Sequence, residues 1–359
     1  MPELDKKILI LLSGGGTMGS VSPLMAIFEQ YKKNDEGYDF MFVGTSSGPE
    51  GQVIKKLNIP FYNLQEAKWR RYFSWSNILS PIIFLIAFVK SIRLLYKKKP
   101  KVIVSAGSYV SVPLAWAGKI IGIPIIIYQM DVVKGLANKL MTPLAKKIVV
   151  AFRHHLYQFP REKTDHIGLI VRPSLTRPNL NNANKIFGID EGKKTILIVG
   201  GGTGALNLNK KIGKILPTLL KKYQIIHLTG LNKQSVKIDS PYYHEYEFLN
   251  QEMVDAYGVA DLVICRAGLS TIAELSALGK VSLIIPITDN QQENNAIFMQ
   301  KHSAAAVLTE QQLAGHRTLK LIERLLVDDK IKRHYQKNIK KLYQEKGLEN
   351  LVNIINETI

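Results

Sequence analysis

Two similar glycine-rich blocks constrain this 359-residue chain more than any other feature of its sequence. The first, Ile10–Gly19, reads ILLSGGGTMG, and the second, Ile196–Ala205, reads ILIVGGGTGA. Each follows an apolar run typical of a buried parallel strand and precedes a segment with helical spacing. Glycines at such a turn let the backbone approach a ligand, and the next helix N-terminus offers free N–H groups to an anion. The pair predicts two nucleotide-fold halves, although either loop alone could be only a tight turn.

Neither block has the sequence of a better-known phosphate-binding loop. No Gly-Lys-Ser or Gly-Lys-Thr follows, which excludes a P-loop. Asp39 lies ~20 residues after the first block, but it begins a predicted strand instead of ending one, which argues against a dinucleotide fingerprint.

Apolar runs alternate with helical segments on both sides of a polar stretch, Arg177–Lys194. This alternation predicts α/β domains with parallel sheets covered on both faces, and the polar stretch is interpreted as the linker between them. We expect an N-terminal domain over residues 1–172 and a C-terminal domain over residues 173–339, with a helix over about 340–359 that can pack back on the first. The predicted strands are Lys7–Leu12, Asp39–Val43, Val102–Ser105, Ile123–Tyr128, Ile148–Phe152, His166–Ile170, Thr195–Val199, Ile225–Leu228, Leu262–Cys265 and Val281–Pro286.

The charge of the chain restricts its partners. It has 48 Lys and Arg against 29 Asp and Glu, a formal net charge of +19, with an ordinary 46% of hydrophobic residues. This composition excludes a disordered basic tail and is compatible with nucleic acid, an anionic membrane or phosphorylated ligands. The single cysteine, Cys265, excludes a disulfide framework or a multi-cysteine metal site. With no apolar run of ~20 residues and no signal peptide, the expected compartment is the cytoplasm.

Much of the excess charge lies in Gln65–Lys101, which carries nine Lys and Arg against one Glu. Within it, the apolar run Pro81–Val89 is too short to span a bilayer but can lie in the interface beside cations that attract anionic lipid. We predict peripheral attachment to the anionic cytoplasmic leaflet; the alternative is a buried core helix with a solvated basic end. No zinc-finger or RNA-recognition motif supports a nucleic-acid partner. The residues predicted to face the membrane are Trp75, Ile82, Phe84, Leu85, Phe88, Lys90 and Arg93.

Two segments at predicted strand ends in the second half suit a sugar nucleotide. Cys265–Lys280 contains a glycine turn and a helix start near Ser270, which Ser270 and Thr271 are suited to cap. Such a helix start can hold a diphosphate, and Glu274 on the same face could accept two hydrogen bonds from a ribose diol. The alternative is an ordinary cap with Glu274 on the surface. The amides of Pro286–Asn295 could bind sugar hydroxyls or serve only loop hydrogen bonds.

Ordered motifs across both halves carry a specific resemblance. They are GGGTMGSVSP (Gly14–Pro23), SAGSYVSVP (Ser105–Pro113), GLANKL (Gly135–Leu140), VRPS (Val171–Ser174), VGGGTGALNLN (Val199–Asn209), EFL (Glu247–Leu249), CRAGLSTIAE (Cys265–Glu274) and DNQQENNA (Asp289–Ala296). From about Ile8 to Glu310 the chain resembles the MurG family of UDP-N-acetylglucosamine–N-acetylmuramyl-(pentapeptide) pyrophosphoryl-undecaprenol N-acetylglucosaminyltransferases.

The resemblance implies two Rossmann-like domains facing a cleft, the GT-B architecture. It also implies an inverting transfer of GlcNAc from UDP-GlcNAc to the C4 hydroxyl of MurNAc in lipid I, which gives lipid II for peptidoglycan. Neither a cofactor nor a metal is implied, and the chain has no Asp-X-Asp motif at a strand end. The donor is expected in the C-terminal domain and the undecaprenyl-pyrophosphoryl acceptor in the N-terminal one.

Site residues follow from the resemblance position by position. Arg172 is expected near the donor at the domain junction, and the backbone of Leu249 is expected to recognise uracil. Glu274 is expected to bind ribose. The acceptor diphosphate and the transferred sugar are expected beside Thr17, Met18 and Gly19. The remaining donor positions are Gly202 and Thr203 beside the diphosphate, Leu269, Ser270, Thr271, Ile272 and Ala273 around the phosphates, and Gln291 and Gln292 at the GlcNAc hydroxyls.

The chain departs from the family's motifs in places. Ser20 occupies the position of a histidine that is a candidate general base, Met18 replaces a glycine, and Gly202 replaces a serine. Tyr128–Asp131 (YQMD) replaces the usual His-Glu-Gln-Asn. Because an acceptor hydroxyl must lose its proton, our hypothesis is that Asp131 acts as the base or orients the acceptor. The alternative is that Asp131 caps the helix that starts near Gly135.

These departures leave other functions open. One is transfer of a UDP-sugar to a different lipid acceptor. A second is a UDP-GlcNAc 2-epimerase, which shares the two-domain fold but needs no lipid. A third is a non-catalytic nucleotide-sugar or polyanion-binding protein.

Overall fold

Among the residues that the structure describes, two parallel β-sheets organise the chain. The structure is a computed structural model that describes residues 7–34, 37–46, 48, 50–65, 75–200, 206–234, 238–313 and 315–359. It divides into two compact units. The first unit contains residues 1–172 and 345–359, and the second contains residues 173–344.

In the first unit, the order of the sheet is β3-β2-β1-β4-β5-β6-β7. Its central strands are apolar because helices cover both faces of a parallel sheet. The order reverses at β1, which pairs with β2 on one side and β4 on the other. The strands are β1 Ile8–Ser13, β2 Tyr38–Gly44, β3 Phe61–Asn63, β4 Val102–Ser105, β5 Ile125–Gln129, β6 Lys147–Val150 and β7 Thr164–His166.

The second sheet repeats this plan with the order β10-β9-β8-β11-β12-β13, and the reversal falls at β8. The two glycine-rich blocks therefore follow the corresponding strands of the two units, β1 and β8. The strands are β8 Thr195–Val199, β9 Gln224–Leu228, β10 Tyr243–Tyr246, β11 Leu262–Cys265, β12 Ser282–Ile284 and β13 Ala306–Val307.

Helices connect most of these strands. They are α1 Ser22–Asn34, α2 Glu50–Lys56, α3 Trp75–Lys98, α4 Ser111–Ile121, α5 Leu136–Met141, α6 Leu180–Phe187, α7 Leu206–Gly213, α8 Leu216–Leu219, α9 Met253–Val259, α10 Leu269–Leu278, α11 Gln291–Lys301, α12 Gly315–Val327, α13 Asp329–Lys340 and α14 Gly347–Thr358. Short 3₁₀ turns lie at Met18–Ser20, Thr142–Leu144, Arg153–Tyr157, Arg161–Lys163 and Pro173–Leu175.

The stretch interpreted as a linker, Arg177–Lys194, contains a packed helix, so that prediction was wrong. Asn179 caps α6 by accepting a hydrogen bond from the Asn182 N–H at 3.1 Å, and the buried Asp255 of α9 accepts from both residues at 2.7 Å. Ala183 and Phe187 are buried on the inner face. The polar composition of the stretch masked the helical spacing of its few apolar side chains.

The last helix, α14, belongs to the first unit and packs against α1. Leu351 and Ile355 are fully buried, and the Tyr31 hydroxyl donates to Asn356 Oδ1 at 2.5 Å. A Cβ added to Gly347 would lie 2.3 Å from the Ile167 carbonyl oxygen. The strand predicted at His166–Ile170 is instead Thr164–His166. The apolar residues that follow it are buried beside α14, and they do not form a strand.

The apolar run predicted to meet a membrane lies within α3, a 24-residue helix. Ile82, Leu85, Lys90 and Arg93 are exposed, whereas Phe84 and Phe88 are partly buried against the core of the first unit. Phe84 and Phe88 thus face the core with part of each ring, and contact of their open edges with a membrane stays a prediction. Nothing about the Trp75 side chain is described. No described helix is long and apolar enough to cross a membrane.

Candidate functional site

The first glycine loop lies where the order of the first sheet reverses, which is where ligands bind in open α/β sheets. It leaves β1 at Ser13, whose hydroxyl is 2.9 Å from that of Ser111 in the first turn of α4. This contact connects two of the sequence motifs, Gly14–Pro23 and Ser105–Pro113. Within the loop, Thr17 is exposed and Met18 and Gly19 are half-buried, so the three predicted acceptor residues lie at the surface of the unit.

A buried carboxylate, Glu50, shapes this loop. It accepts hydrogen bonds from the Gly16 N–H at 3.2 Å, the Thr45 N–H at 2.8 Å and the Thr45 hydroxyl at 2.6 Å. A Cβ on Gly15 would lie 2.3 Å from Glu50 Oε1, so a side chain at this position would displace the carboxylate. The sequence analysis missed Glu50; its position just after β2, the strand beside β1, was the available signal.

Ser20, at the position of the family's histidine, closes the loop. Its hydroxyl accepts from the Gly15 N–H at 3.0 Å and donates to the Gly15 carbonyl at 3.1 Å. A serine hydroxyl is a poor base unless another group activates it. The hydrogen bonds of Ser20 therefore indicate a role in loop shape.

The loop after β5 carries Asp131, the candidate base. The buried Gln129 side chain donates to the Asp131 carbonyl at 2.6 Å and accepts from Asn138 Nδ2 of α5, also at 2.6 Å. Helix α5 begins after Gly135, which occupies the N-cap position without a side-chain cap. Gly135, and not Asp131, is thus the N-cap residue of this helix. The half-buried Asp131 lies in a turn fixed by Gln129.

Two adjacent histidines in the 3₁₀ turn after β6 support the same turn. The Nε2 atoms of His154 and His155 lie 2.9 and 3.0 Å from the Val132 carbonyl oxygen. Burial lowers the pKa of His155 to about 4, so its ring is neutral near pH 7. A ring whose Nε2 atom carries a proton donates to this carbonyl. Sequence reasoning missed this pair because it comes more than 20 residues after the turn.

Arg172, the last residue before the second unit, lies on the first. Its Nη1 atom is 3.8 Å from Glu29 Oε1, and its buried Nε atom has no hydrogen-bond partner. Its guanidinium is thus only partly engaged by the first unit.

In the second unit, the glycine loop after β8 is described only as far as Gly200, and Gly202 and Thr203 lie outside the described residues. The neighbouring strand β11 leads into α10. Gly268 is the N-cap residue of α10 and has no side chain that could accept hydrogen bonds from the first turn. The backbone N–H groups of that turn are therefore available to an anion.

The predicted capping by Ser270 and Thr271 was wrong. They are the second and third residues of α10, not its cap. Both are half-buried, while Leu269, Ile272 and Ala273 are buried against the unit. Ser270 and Thr271 are thus the residues of this turn that can present hydroxyls to a ligand.

Glu274 is oriented by a buried tyrosine. The Tyr257 hydroxyl of α9 donates to Glu274 Oε2 at 2.8 Å. Burial, followed by the nearby Glu274 charge, raises the pKa of Tyr257 well above its usual value, so it stays a donor. Burial also raises the pKa of the Cys265 thiol to about 12, which leaves it an unreactive neutral group. The alternative of an unengaged surface Glu274 does not hold, because the carboxylate is half-buried and bonded.

The amide-rich segment forms the start of α11. Asn290 caps this helix through the Gln292 N–H, and Gln292 Oε1 accepts from the Ile287 N–H at 3.2 Å. Gln291 is its first residue and is half-buried. Leu249 is buried just after the edge strand β10.

Buried polar contacts tie α10 and α11 to one end of the sheet. Asn295 Nδ2 donates to the Ala267 carbonyl at 3.1 Å. Arg266 donates to the carbonyls of Ile285 and Pro286 and forms an ion pair with Glu310. These groups fix the turns that begin both helices. Across the described ranges, no group of three or more His, Cys, Asp or Glu could hold a metal ion.

The comparisons with known proteins agree with this geometry. The glycosyltransferase family 28 N-terminal domain matches residues 10–150, and the C-terminal domain of that family matches residues 195–352. A UDP-N-acetylglucosamine–N-acetylmuramyl-(pentapeptide) pyrophosphoryl-undecaprenol N-acetylglucosamine transferase of Clostridium perfringens is 33% identical over 98% of this chain and 99% of its own. One of Lachnospira eligens is 34% identical over 97% and 98%.

Solved structures show the same fold. The crystal structure of Acinetobacter baumannii MurG has a TM-score of 0.73 at 24% identity, covering 98% of this chain and all of that one. A UDP-N-acetylglucosamine 2-epimerase has a TM-score of 0.63 at 14% identity, covering 98% and 95%. With two parallel sheets of one plan and full-length relatives above 30% identity, the chain belongs to the MurG family of glycosyltransferase family 28 and is a glycosyltransferase.

Proposed function

We propose that this chain transfers GlcNAc from UDP-GlcNAc to the C4 hydroxyl of MurNAc in undecaprenyl-pyrophosphoryl-MurNAc-pentapeptide, converting lipid I to lipid II. The observation that carries the proposal is the similarity, over 98% of this chain, to a Clostridium perfringens transferase that is named for this reaction. The start of α10 supports it, because uncapped N–H groups beside Glu274 suit a diphosphate and a ribose.

The transfer is a single displacement. The acceptor C4 oxygen attacks C1 of GlcNAc while the bond from C1 to the UDP oxygen breaks, which inverts the configuration at C1. The positive end of α10 stabilises the negative charge that develops on UDP, and this stabilisation needs no metal. Asp131 takes the proton of the hydroxyl or orients it. The hydrogen bonds of Gln129 and the two histidines to the Asp131–Val133 turn support this role.

The other site residues are assigned either to the acceptor or to the donor. Thr17, Met18 and Gly19 contact the acceptor diphosphate, and Arg172 and Leu249 contact the donor. Gly202 and Thr203 bind the donor diphosphate, and Gln291 and Gln292 bind the GlcNAc hydroxyls.

We also propose that α3 holds the protein at an anionic membrane surface, on the cytoplasmic face. The support is the combination of Ile82 and Leu85, 58% and 60% exposed, with exposed Lys90 and Arg93 on one helix. Nucleic acid is not a proposed partner, because this charge lies beside apolar side chains.

The membrane role of α3 is tested by the double variant Ile82→Asp with Leu85→Asp, which should abolish salt-sensitive binding to anionic vesicles. Unchanged binding would show that this face of α3 does not bind the membrane.

One assay separates the candidate functions. Purified protein is incubated with radiolabelled UDP-GlcNAc and a short-chain lipid I. Labelled lipid product supports the proposal, whereas a ManNAc product, as UDP-ManNAc or as the free sugar, indicates a 2-epimerase. Binding of UDP-GlcNAc without turnover indicates a non-catalytic protein, and labelling only of another polyprenyl lipid indicates a changed acceptor.

The role of Asp131 has its own test. If Asp131 is the base, Asp131→Asn should lower kcat by about 10²–10⁴-fold with little change in donor affinity. Near-wild-type turnover by the folded variant would show that another group takes the proton.

A further inference from the structure

An apolar pocket of about 310 Å³ lies in the first unit between α3, the start of α4 and α5, and none of the roles above uses it. Its volume is at the lower end of those typical for small-molecule sites. Apolar side chains dominate its wall. Those that the argument uses are Pro81 and Phe84 of α3, Tyr109 and Val112 at α4, and Leu136 and Leu140 of α5.

The pocket keeps large apolar groups in contact with solvent. Leu136 and Leu140 are 40% and 43% exposed, although both belong to a helix packed on the core. Apolar side chains grouped around a concave pocket are typical of a ligand site. An apolar occupant would cover the two leucines and the outer edge of Phe84.

The pocket shares its elements with the acceptor loops of the same unit. Tyr109 and Val112 flank Ser111, whose hydroxyl is 2.9 Å from that of Ser13 at the start of the glycine loop. Leu136 and Leu140 flank Asn138, which donates to Gln129 below the Asp131 turn. A ligand held by these loops can therefore extend into the pocket.

The charge around the pocket fits an anionic lipid. None of α3, α4 and α5 contains an Asp or Glu. Their cations include the exposed Lys90, Arg93, Lys119 and Lys139. An apolar pocket between helices that carry cations and no acidic residue is complementary to a pyrophosphate joined to a hydrocarbon chain.

We propose that this pocket binds the first isoprene units of the acceptor's polyprenyl chain. The inference rests on the proposed function, since it takes a pyrophosphoryl lipid as the acceptor. The pocket then contributes to the choice of acceptor by binding the hydrocarbon next to the pyrophosphate. The exposed face of α3 remains available for the bilayer surface.

The test compares two lipid I analogues with the same headgroup, one with a single isoprene unit and one with four, in detergent. The wild-type protein should have the higher kcat/KM for the longer chain. Leu140→Trp, which fills the pocket, should lower the long-to-short ratio of kcat/KM by about tenfold or more, since each buried methylene contributes about fourfold. Ile120→Trp is the matched control, because Ile120 is 65% exposed on α4 outside the pocket, and its ratio should stay at the wild-type value.

A second variant, Leu136→Gln, weakens the apolar wall without added bulk and should lower the same ratio, with folding checked by circular dichroism. A wild-type ratio near one, or a ratio that neither variant changes, would overturn the pocket assignment while leaving the transferase function intact. Loss of vesicle binding in Leu140→Trp with an unchanged ratio would also overturn it, by assigning the pocket to a phospholipid acyl chain. Absence of transfer by wild-type protein to either analogue would instead refute the proposed function itself.

Discussion

Glu50 holds the first glycine loop through its buried carboxylate, which accepts hydrogen bonds from Gly16 and Thr45. Glu50→Gln replaces one acceptor oxygen with an NH₂ group that faces N–H donors. We expect kcat/KM for the acceptor to fall about tenfold or more, since a hydrogen bond to a charged group is worth about 1.5–3 kcal/mol. The donor KM should not change. Exposed Glu162→Gln serves as the control, and a raised donor KM in Glu50→Gln would contradict the assignment.

Tyr257 is the corresponding positioning residue in the second unit. Tyr257→Phe keeps the ring in the core but removes the hydroxyl that donates to Glu274. If Glu274 binds the ribose, we expect KM for UDP-GlcNAc to rise about five- to tenfold, from a lost hydrogen bond of about 1 kcal/mol or slightly more. Steady-state kinetics with both substrates measures this, with Tyr335→Phe as the control in the same unit. A change confined to the acceptor KM would show that Glu274 does not serve the donor.

Elements with strong local patterns could be predicted from the sequence, and those fixed by packing could not. The predicted bounds of Val102–Ser105, Thr195–Val199 and Leu262–Cys265 were confirmed, because short, β-branched apolar runs are typical of the central strands of a parallel sheet. The edge strands β3, β10 and β13 were missed. They are short, and β10 (YHEY) is polar, since an edge strand needs less apolar surface. The sequence motifs identified the candidate residues that touch a ligand. They did not identify Glu50 and Tyr257, because these two act through contacts with Gly16 and Glu274, which lie far from them in the sequence.

Helix α14 shows how an element far along the chain supports the first unit. Removing residues 345–359 exposes the face of α1 that Leu351 and Ile355 bury. A milder change, Ile355→Ala, should destabilise the first unit by about 2–4 kcal/mol through the cavity it leaves. Hydrogen exchange should show the loss in β1 and β2 and leave β8 and β11 unchanged. Val352→Ala, a half-buried neighbour on the same helix, is the matched control. Equal loss of protection in both units would contradict the assignment of α14.

At the scale of the whole molecule, the glycine-block repeat predicted two α/β units, and the comparisons confirm the fold class. Each unit also contains a neutral buried histidine. His155 in the first contacts the Val132 carbonyl, and His227 in the second contacts Asn209 and Tyr243. Burial lowers the pKa of each to about 4. Both units therefore carry a group that the unfolded chain protonates at a higher pH than the folded one.

The sign of the resulting pH dependence follows from proton uptake. Between pH 6.5 and 4 the unfolded chain binds more protons at these histidines, so the free energy of unfolding falls as the pH falls. The loss reaches up to about 3 kcal/mol for each histidine and levels off below about pH 4. His227→Gln, whose amide can keep the contact with Asn209, should flatten this dependence in the second unit alone. Amide exchange in β6 and β9 reads the two units separately, with exposed His316→Gln as the control. Stability that rises on acidification from pH 6.5 to 4 would refute the neutral buried state of both histidines.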